Sequence, residues 1–348
     1  MFHRFEKIGR LELLEEAITL NRERLKLWPA HHSKQSVDIY NLAWAVFRQF
    51  QLLGQHNDLD EAILLYQQAL ELQPAPHPDR SSTLSSLATA LNLQFQLSGQ
   101  QKHLEEAISL NQEALELQPA PHPDRSSSLS SLAAARRLQF EQAGQHKDLE
   151  EAISLLQEAL ELQPAPHPGR SNILNDLGDA LWLEFVQSGQ HKDLEEAISL
   201  LQEALELRPA PHPLRSTTLN NLGDVLRVQF DQSGQHKDLQ EAISLLQEAL
   251  ELQPAPHPGR SGTLNNLALS LKSQFYQSHQ QKDLEEAILL HQEAAELTPA
   301  NHPNKSLYIN NLARALRIRF ENSGQPLDLE KAILLENEAQ ALTLSTSI

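Results

Sequence analysis

Apolar side chains recur at two alternating sets of helical spacings along this chain, and residues 170–214 show both. In the second half of that stretch, Leu194, Ala197, Ile198, Leu201, Ala204 and Leu205 follow steps of three and four, which places them on one helical face. Asp193, three residues before Glu196, reads as the start of a capping box. Pro209 and Pro211 end the pattern, because neither ring can continue helical bonding. We call this helix B. In the first half, Leu174, Leu177, Leu181 and Phe185 mark helix A, with Gly189 at the break that follows. No segment alternates with the period of a strand, so the pattern predicts an all-α chain.

The pair is repeated. The alanine of Glu-Ala-Ile stands at Ala17, Ala62, Ala107, Ala152, Ala197, Ala242 and Ala287, and Lys-Ala-Ile adds Ala332, always 45 residues apart. Such regularity predicts seven units, 35–79, 80–124, 125–169, 170–214, 215–259, 260–304 and 305–348. They are preceded by a partial unit over 1–34, where Phe5 and Gly9 stand 45 residues before Phe50 and Gly54 and so suggest the end of a helix A followed by a helix B. One helix pair cannot bury its own apolar faces. Units of constant length are therefore expected to stack on equivalent neighbours as a single continuous α-solenoid of antiparallel helix pairs. Neither end shows a polar capping helix, which suggests a piece of a longer protein or ends that pair with something.

The run Ala197-Ile198-x-x-Leu201-x-x-Ala204-Leu205-x-x-x-Pro209 resembles the second helix of a tetratricopeptide repeat, and Leu174-x-x-Leu177-Gly178-x-x-Leu181 resembles the first. The resemblance covers almost the whole chain and implies a right-handed superhelix. About seven extra residues in helix A and about four in the linker lengthen the unit beyond the family's usual size. The long unit, with Leu-Glu-Glu-Ala-Ile and Pro-Ala-Pro-His-Pro, is similar to arrays of mushroom-forming fungi that often precede a caspase-like protease domain of the CHAT type, a domain missing from these residues.

Composition narrows the chemistry. Cysteine is absent from the 348 residues, so disulfides, thiolate metal sites and cysteine nucleophiles are excluded. No apolar run approaches a membrane span, and the first residues lack a secretory pattern, so a cytoplasmic or nuclear protein without membrane contact is expected. The net charge of −18 disfavours nucleic acid. His77, His122, His167, His212, His257 and His302 recur once per linker, but adjacent units are too far apart to share one ion, so no metal is expected. No HExxH, GxSxG, GxxxxGK[ST] or GxGxxG occurs, and repeats leave no other segment for a catalytic site; neither an enzyme nor a cofactor is expected.

Helix B hardly changes between copies, whereas helix A varies in three columns. The first includes Trp44, Asp179, Asp224 and Arg314; the second Phe47, Asn92, Arg137, Trp182, Arg227, Lys272 and Arg317; the third Tyr276. Offsets of zero, three and seven share a helical face, opposite the packing stripe. Variation confined to one face predicts a surface that binds a partner, and in the resembled family the first helix lines a concave peptide groove. A fourth column holds Asn41, Asn221, Asn266 and Asn311. Each amide offers donor and acceptor, either to the main chain of a bound peptide or to the neighbouring unit. The A segments, counted from the opening arginine or lysine, sum to +6 and leave −24 for the remainder, so a partner with acidic character is expected.

The expected function is a protein-interaction scaffold. Alternatives are the sensor region of a CHAT-type protease or immune-type switch, and an array that associates end to end.

Overall fold

The computed structural model describes residues 2–27, 34–255, 257–300 and 302–345. Fifteen helices, with no strand among the described residues, follow one another along the chain. After α1 (Phe2–Lys26), the A helices are α2 (Gln35–Leu53), α4 (Arg80–Ser98), α6 (Arg125–Ala143), α8 (Arg170–Ser188), α10 (Arg215–Ser233), α12 (Arg260–Ser278) and α14 (Lys305–Ser323). The B helices are α3 (His56–Glu71), α5 (Gln101–Glu116), α7 (His146–Glu161), α9 (His191–Glu206), α11 (His236–Glu251), α13 (Gln281–Leu297) and α15 (Pro326–Ser345). They form two compact units, residues 1–167 and 168–348.

Sequence chemistry explains the turn between A and B. Gly54, Gly99, Gly144, Gly189, Gly234 and Gly324 adopt φ between 65° and 70°, which a side chain disfavours, and each N–H reaches the carbonyl of the phenylalanine four residues back. Gln190 then stands extended as the N-cap of α9, which opens at His191. The capping box anticipated at Asp193 is not formed. Asp193 lies inside the first turn, and its carboxylate accepts from Ser188 Oγ at 3.4 Å. In α1 the equivalent Gly9 interrupts nothing. It is followed by Arg-Leu-Glu-Leu, good helix formers, where Gly54 is followed by Gln-His-Asn-Asp.

Each pair closes around its small residues. Ala107, Ala152, Ala197, Ala242 and Ala287 are fully buried on the B helices, as are Leu84, Leu129, Leu174 and Leu219 on the A helices. At Gly178 and Gly223 the approach is tightest, because a Cβ there would meet Leu201 or Leu246 Cγ at 2.7 Å.

Within each unit, successive pairs are fastened by the arginines that open α4, α6, α10 and α12. Arg80, Arg125, Arg215 and Arg260 donate through Nε to Glu113, Glu158, Glu248 and Glu293 at 2.7–3.0 Å. Their Nη1 atoms donate to the carbonyls of Gln73, Gln118, Arg208 and Gln253 at the end of the preceding B helix. This satisfies helix C-terminal acceptors that would otherwise lack a partner. The linker histidines serve a local turn. His77, His122, His212, His257 and His302 each accept the backbone N–H two residues on through Nδ1, at 3.1–3.2 Å.

Within each unit, A helices of neighbouring repeats approach within 8 Å between Cα atoms, while among the described residues no two B helices do. The A layer is therefore the close-packed one.

Candidate functional site

The three variable columns differ in exposure: the third is exposed throughout, the first is exposed or half-buried, and the second is half-buried or buried. Trp44 and Arg314 of the first column are exposed, with Asp179 and Asp224 half-buried; every member of the third column, Tyr276 among them, is exposed. Arg48 lies over the Trp44 ring at 5.9 Å, within the reach of a cation–π contact.

The second column is a correction to the anticipated face. Phe47 is 8% exposed and belongs to the apolar core. Asn92 is buried and donates to the Ser131 carbonyl at 3.2 Å. Arg317 binds Glu336 of its own helix B through two hydrogen bonds of 2.6 and 2.7 Å. Trp182, Arg227 and Lys272 are half-buried, and the Trp182 indole N–H is enclosed without a partner. An offset of three rotates a side chain about 60° round a helix relative to offset zero and about 40° relative to offset seven. That rotation turns the column toward helix B.

The facing B position also varies: Tyr66, Asn111, Leu156, Leu201, Leu246, His291 and Glu336. Asn111 donates to Ser131 Oγ, beside the Asn92 contact. Lys272 and His291 are close enough for the ammonium to depress the imidazole, whose pKa is pushed down to about 3, chiefly by burial. Variation in this column therefore accompanies packing inside each pair. Sequence comparison of helix A alone missed it; reading the two columns side by side exposes the matched Arg317 and Glu336.

Of the two roles open to the asparagines, the structure shows the bond to the neighbouring unit. Asn311 Nδ2 donates to Asn265 Oδ1 at 2.9 Å, Asn266 to Asn220 at 3.2 Å and Asn221 to Asn175 at 3.5 Å. Within each helix Asn265 donates to Asn266, Asn220 to Asn221 and Asn175 to Asp176, each at 3.3 Å. A continuous amide ladder thus joins α14, α12, α10 and α8. It engages one N–H or one carbonyl lone pair of each amide in holding neighbouring repeats together. In the first unit the same step is made by Tyr40 and Ser86 hydroxyls at 3.2 Å, leaving Asn41 exposed.

Charge on the face is also rearranged. Arg227 pairs with Asp224 at 2.7 Å and Asp231 at 2.9 Å, Arg137 with Glu141, and Arg319 with Asp328 at 2.6 Å. The helix-opening arginines, Arg317 and Arg319 bind carboxylates of the B helices, so acids outside the A segments offset much of the positive charge counted there. The anticipated basic lining is reduced to Arg48, Lys272 and Arg314, which form no ion pair among the described residues. Burial holds Lys272 below the ordinary ammonium range, with Arg227 and Arg314 adding repulsion and Asp231 opposing it. Among the described residues no helix is long and apolar enough to cross a membrane, and no three metal-ligating side chains cluster.

Comparisons with known proteins agree with this architecture. The tetratricopeptide repeat model matches residues 137–211 and 188–257. The fold is similar to that of a human IFIT1 dimer with PPP-AAAA, with a TM-score of 0.60 at 17% identity over 95% of this chain and 68% of that one. A Podosopora anserina putative kinesin light chain with nearly identical TPR-like repeats gives 0.44 at 22% identity, over 65% of this chain and 98% of that one. Pseudomonas aeruginosa pilF gives 0.45 at 19%, over 75% and 98%. No curated protein matches the chain.

Proposed function

For a chain that is a tetratricopeptide-repeat array, we propose a protein-binding role, exercised through the exposed columns of the A helices and requiring no chemistry of its own. The observation that carries the reading is a coincidence of variation and layer. Trp44, Arg314 and Tyr276 differ from their equivalents in every other repeat, and within each unit they lie on the layer whose helices pack closest together. The exposed B-helix positions Glu105, Glu150, Glu195 and Glu285 repeat one residue type, and Asp60 and Gln240 at the same place are close in size and polarity. Large exposed aromatic rings beside arginine are also the side chains that anchor protein interfaces.

The test compares affinity capture by the wild-type chain with two variants. One carries Trp44→Ala, Tyr276→Ala and Arg314→Glu; the other carries Leu64→Ala and Leu289→Ala on the exposed surface of B helices. Loss of the same captured proteins from the first variant alone supports the reading. Identical capture by all three, or loss from the B variant alone, refutes it.

A further inference from the structure

Between α4 and α6, at the junction of repeats two and three, an open polar cavity of about 240 Å³ lies under the hydroxyl of Tyr40. Ser85, Ser128 and Gln118 form its buried floor, while Thr89, Asp124 and Ser127 at its edge are exposed. We propose that this cavity receives an arginine side chain of a bound partner. The proposal rests on the A-face reading above and names one contact within it.

The molecule supplies its own template. Shifted by two repeats, the position of Gln118 is held by Arg208, which is 2% exposed. Its guanidinium fills the equivalent junction between α8 and α10, donating to Asn172 Oδ1 at 2.6 Å, to Leu214 O at 3.3 Å and to Thr218 Oγ1. In repeats two and three the acceptors persist while the guanidinium is missing. Ser82 Oγ stands for Asn172 Oδ1, Ser128 Oγ for Thr218 Oγ1, and the Asp124 carbonyl for that of Leu214. Gln118 is too short to reach as Arg208 does. Ser82 and Ser85 are smaller than Asn172 and Asn175, and the difference in size is the cavity.

Gln118 gives an independent sign that something is missing. It is 0% exposed, and neither its amide oxygen nor its amide nitrogen has a hydrogen-bond partner. A buried polar group of that kind is costly unless satisfied. Gln73 is equally buried and unpartnered one repeat earlier, but Val37 and Tyr40 stand there in place of Ser82 and Ser85. Charge points the same way. At the filled junction Asp176 supports Arg208 against the desolvation that lowers its pKa. At the open junction Ser86 replaces Asp176, and a carboxylate appears instead at Asp124, where the filled junction has Leu214. Asp124 accepts from Ser82 Oγ at 3.1 Å and keeps further acceptor capacity. Hydroxyl, carbonyl and carboxylate acceptors spread over two helices suit the planar fork of a guanidinium better than a single ammonium.

Titration of the full chain with N-acetyl-arginine amide, followed by backbone amide NMR, tests this. Expected are saturable shifts in α4 and α6, with the neutral isostere N-acetyl-citrulline amide about tenfold weaker or worse. Gln118→Arg, which fills the cavity from within, abolishes the shifts, and Asp124→Asn weakens them about tenfold. Absence of saturable shifts in α4 and α6, equal affinity for citrulline, or undiminished binding by folded Gln118→Arg overturns the proposal. The arginine and citrulline comparison decides the matter on the wild-type chain even if a variant fails to fold. Trp44, Tyr276 and Arg314 do not line the cavity, so this result and the capture experiment can fail separately.

Discussion

Replacing His291 by leucine should stabilise the second unit and remove part of its sensitivity to acid. His291 sits on α13 at a position that is leucine in α7, α9 and α11, and it is 0% exposed. Neither ring nitrogen has a partner. A neutral imidazole in that place forgoes hydrogen bonds to water at a cost of about 1–3 kcal/mol, which a leucine of similar size avoids. Burial, with repulsion from Lys272 added, pushes the folded-state pKa from 6.5 down to about 3. The unfolded state therefore binds the proton first as pH falls, and stability is lost below about pH 6.5. Between pH 7 and pH 5 the loss is about 2 kcal/mol.

Urea unfolding of the wild-type and His291→Leu chains at both pH values gives the comparison, with amide hydrogen exchange in α12 and α13 as a local readout. The local measurement matters because long repeat arrays can unfold in segments. The expected outcome is greater protection in the variant at pH 7, and a gap that widens at pH 5. Equal or lower protection at pH 7, or an unchanged gap at pH 5, would show that the ring is satisfied or solvated in a way this packing does not provide.

Other expectations come from neighbouring features. Asn266→Ala cuts the amide ladder at its centre, orphans Asn220 Oδ1 and Asn265 Nδ2, and should cost about 1–3 kcal/mol by denaturant unfolding. In a double-mutant cycle with Asn311→Ala the two losses should not add, because both act on one network; strict additivity would argue against a connected ladder. His279 holds φ at 53° where other repeats place glycine, so His279→Gly should raise the melting temperature by relieving about 1 kcal/mol of backbone cost; a lowered melting temperature would mean that its contact with Phe275 outweighs the strain. Arg208→Gln should destabilise the second unit and open a cavity matching that beside Gln118, detectable by crystallography of the variant; an unchanged junction would remove the template from the arginine proposal.

How much of this was legible in the sequence depended on whether a feature belonged to one helix or to a junction. The helix pairs and their apolar faces were readable, because burial forces residues such as Leu174, Leu177, Ala197 and Leu201 into helical spacing whatever lies opposite. The helix start at His191 was misplaced by a few residues, since a left-handed glycine and an extended glutamine open helix B without the side-chain cap that Asp193 seemed to offer. Summed charge over the A segments suggested a basic lining because it left out the carboxylates of the B helices; Arg317 with Glu336 and Arg319 with Asp328 become neutral only once the two helices are paired. For the asparagines the chemistry was legible and the partner was not. Asn266 and Asn220 are 46 residues apart and meet only through the stacking of repeats.

That ladder also shows how repeats of constant length can carry different junctions. An ionised carboxylate can only accept, so Asp176 obliges Asn175 to turn its nitrogen toward it. Asn175 Oδ1 is then the acceptor for Asn221, Asn221 Oδ1 for Asn220, and the same order passes through Asn266 and Asn265 to Asn311. One charged residue sets the direction of every amide in the ladder, and Arg208, beside that residue, closes the remaining gap from within. In the first unit Tyr40 and serines stand along these columns, and their hydroxyls make separate bonds, Tyr40 with Ser86 and Ser85 with Ser128, in place of an amide chain. Satisfied by its own amides and guanidinium, the junction of repeats four and five has little to offer a ligand through these groups. Built from hydroxyls and one glutamine too short to reach them, the junction of repeats two and three holds its unmet acceptors open toward the A face. The difference between a structural junction and a binding one then comes down to side-chain length at Gln118, Ser82 and Ser85.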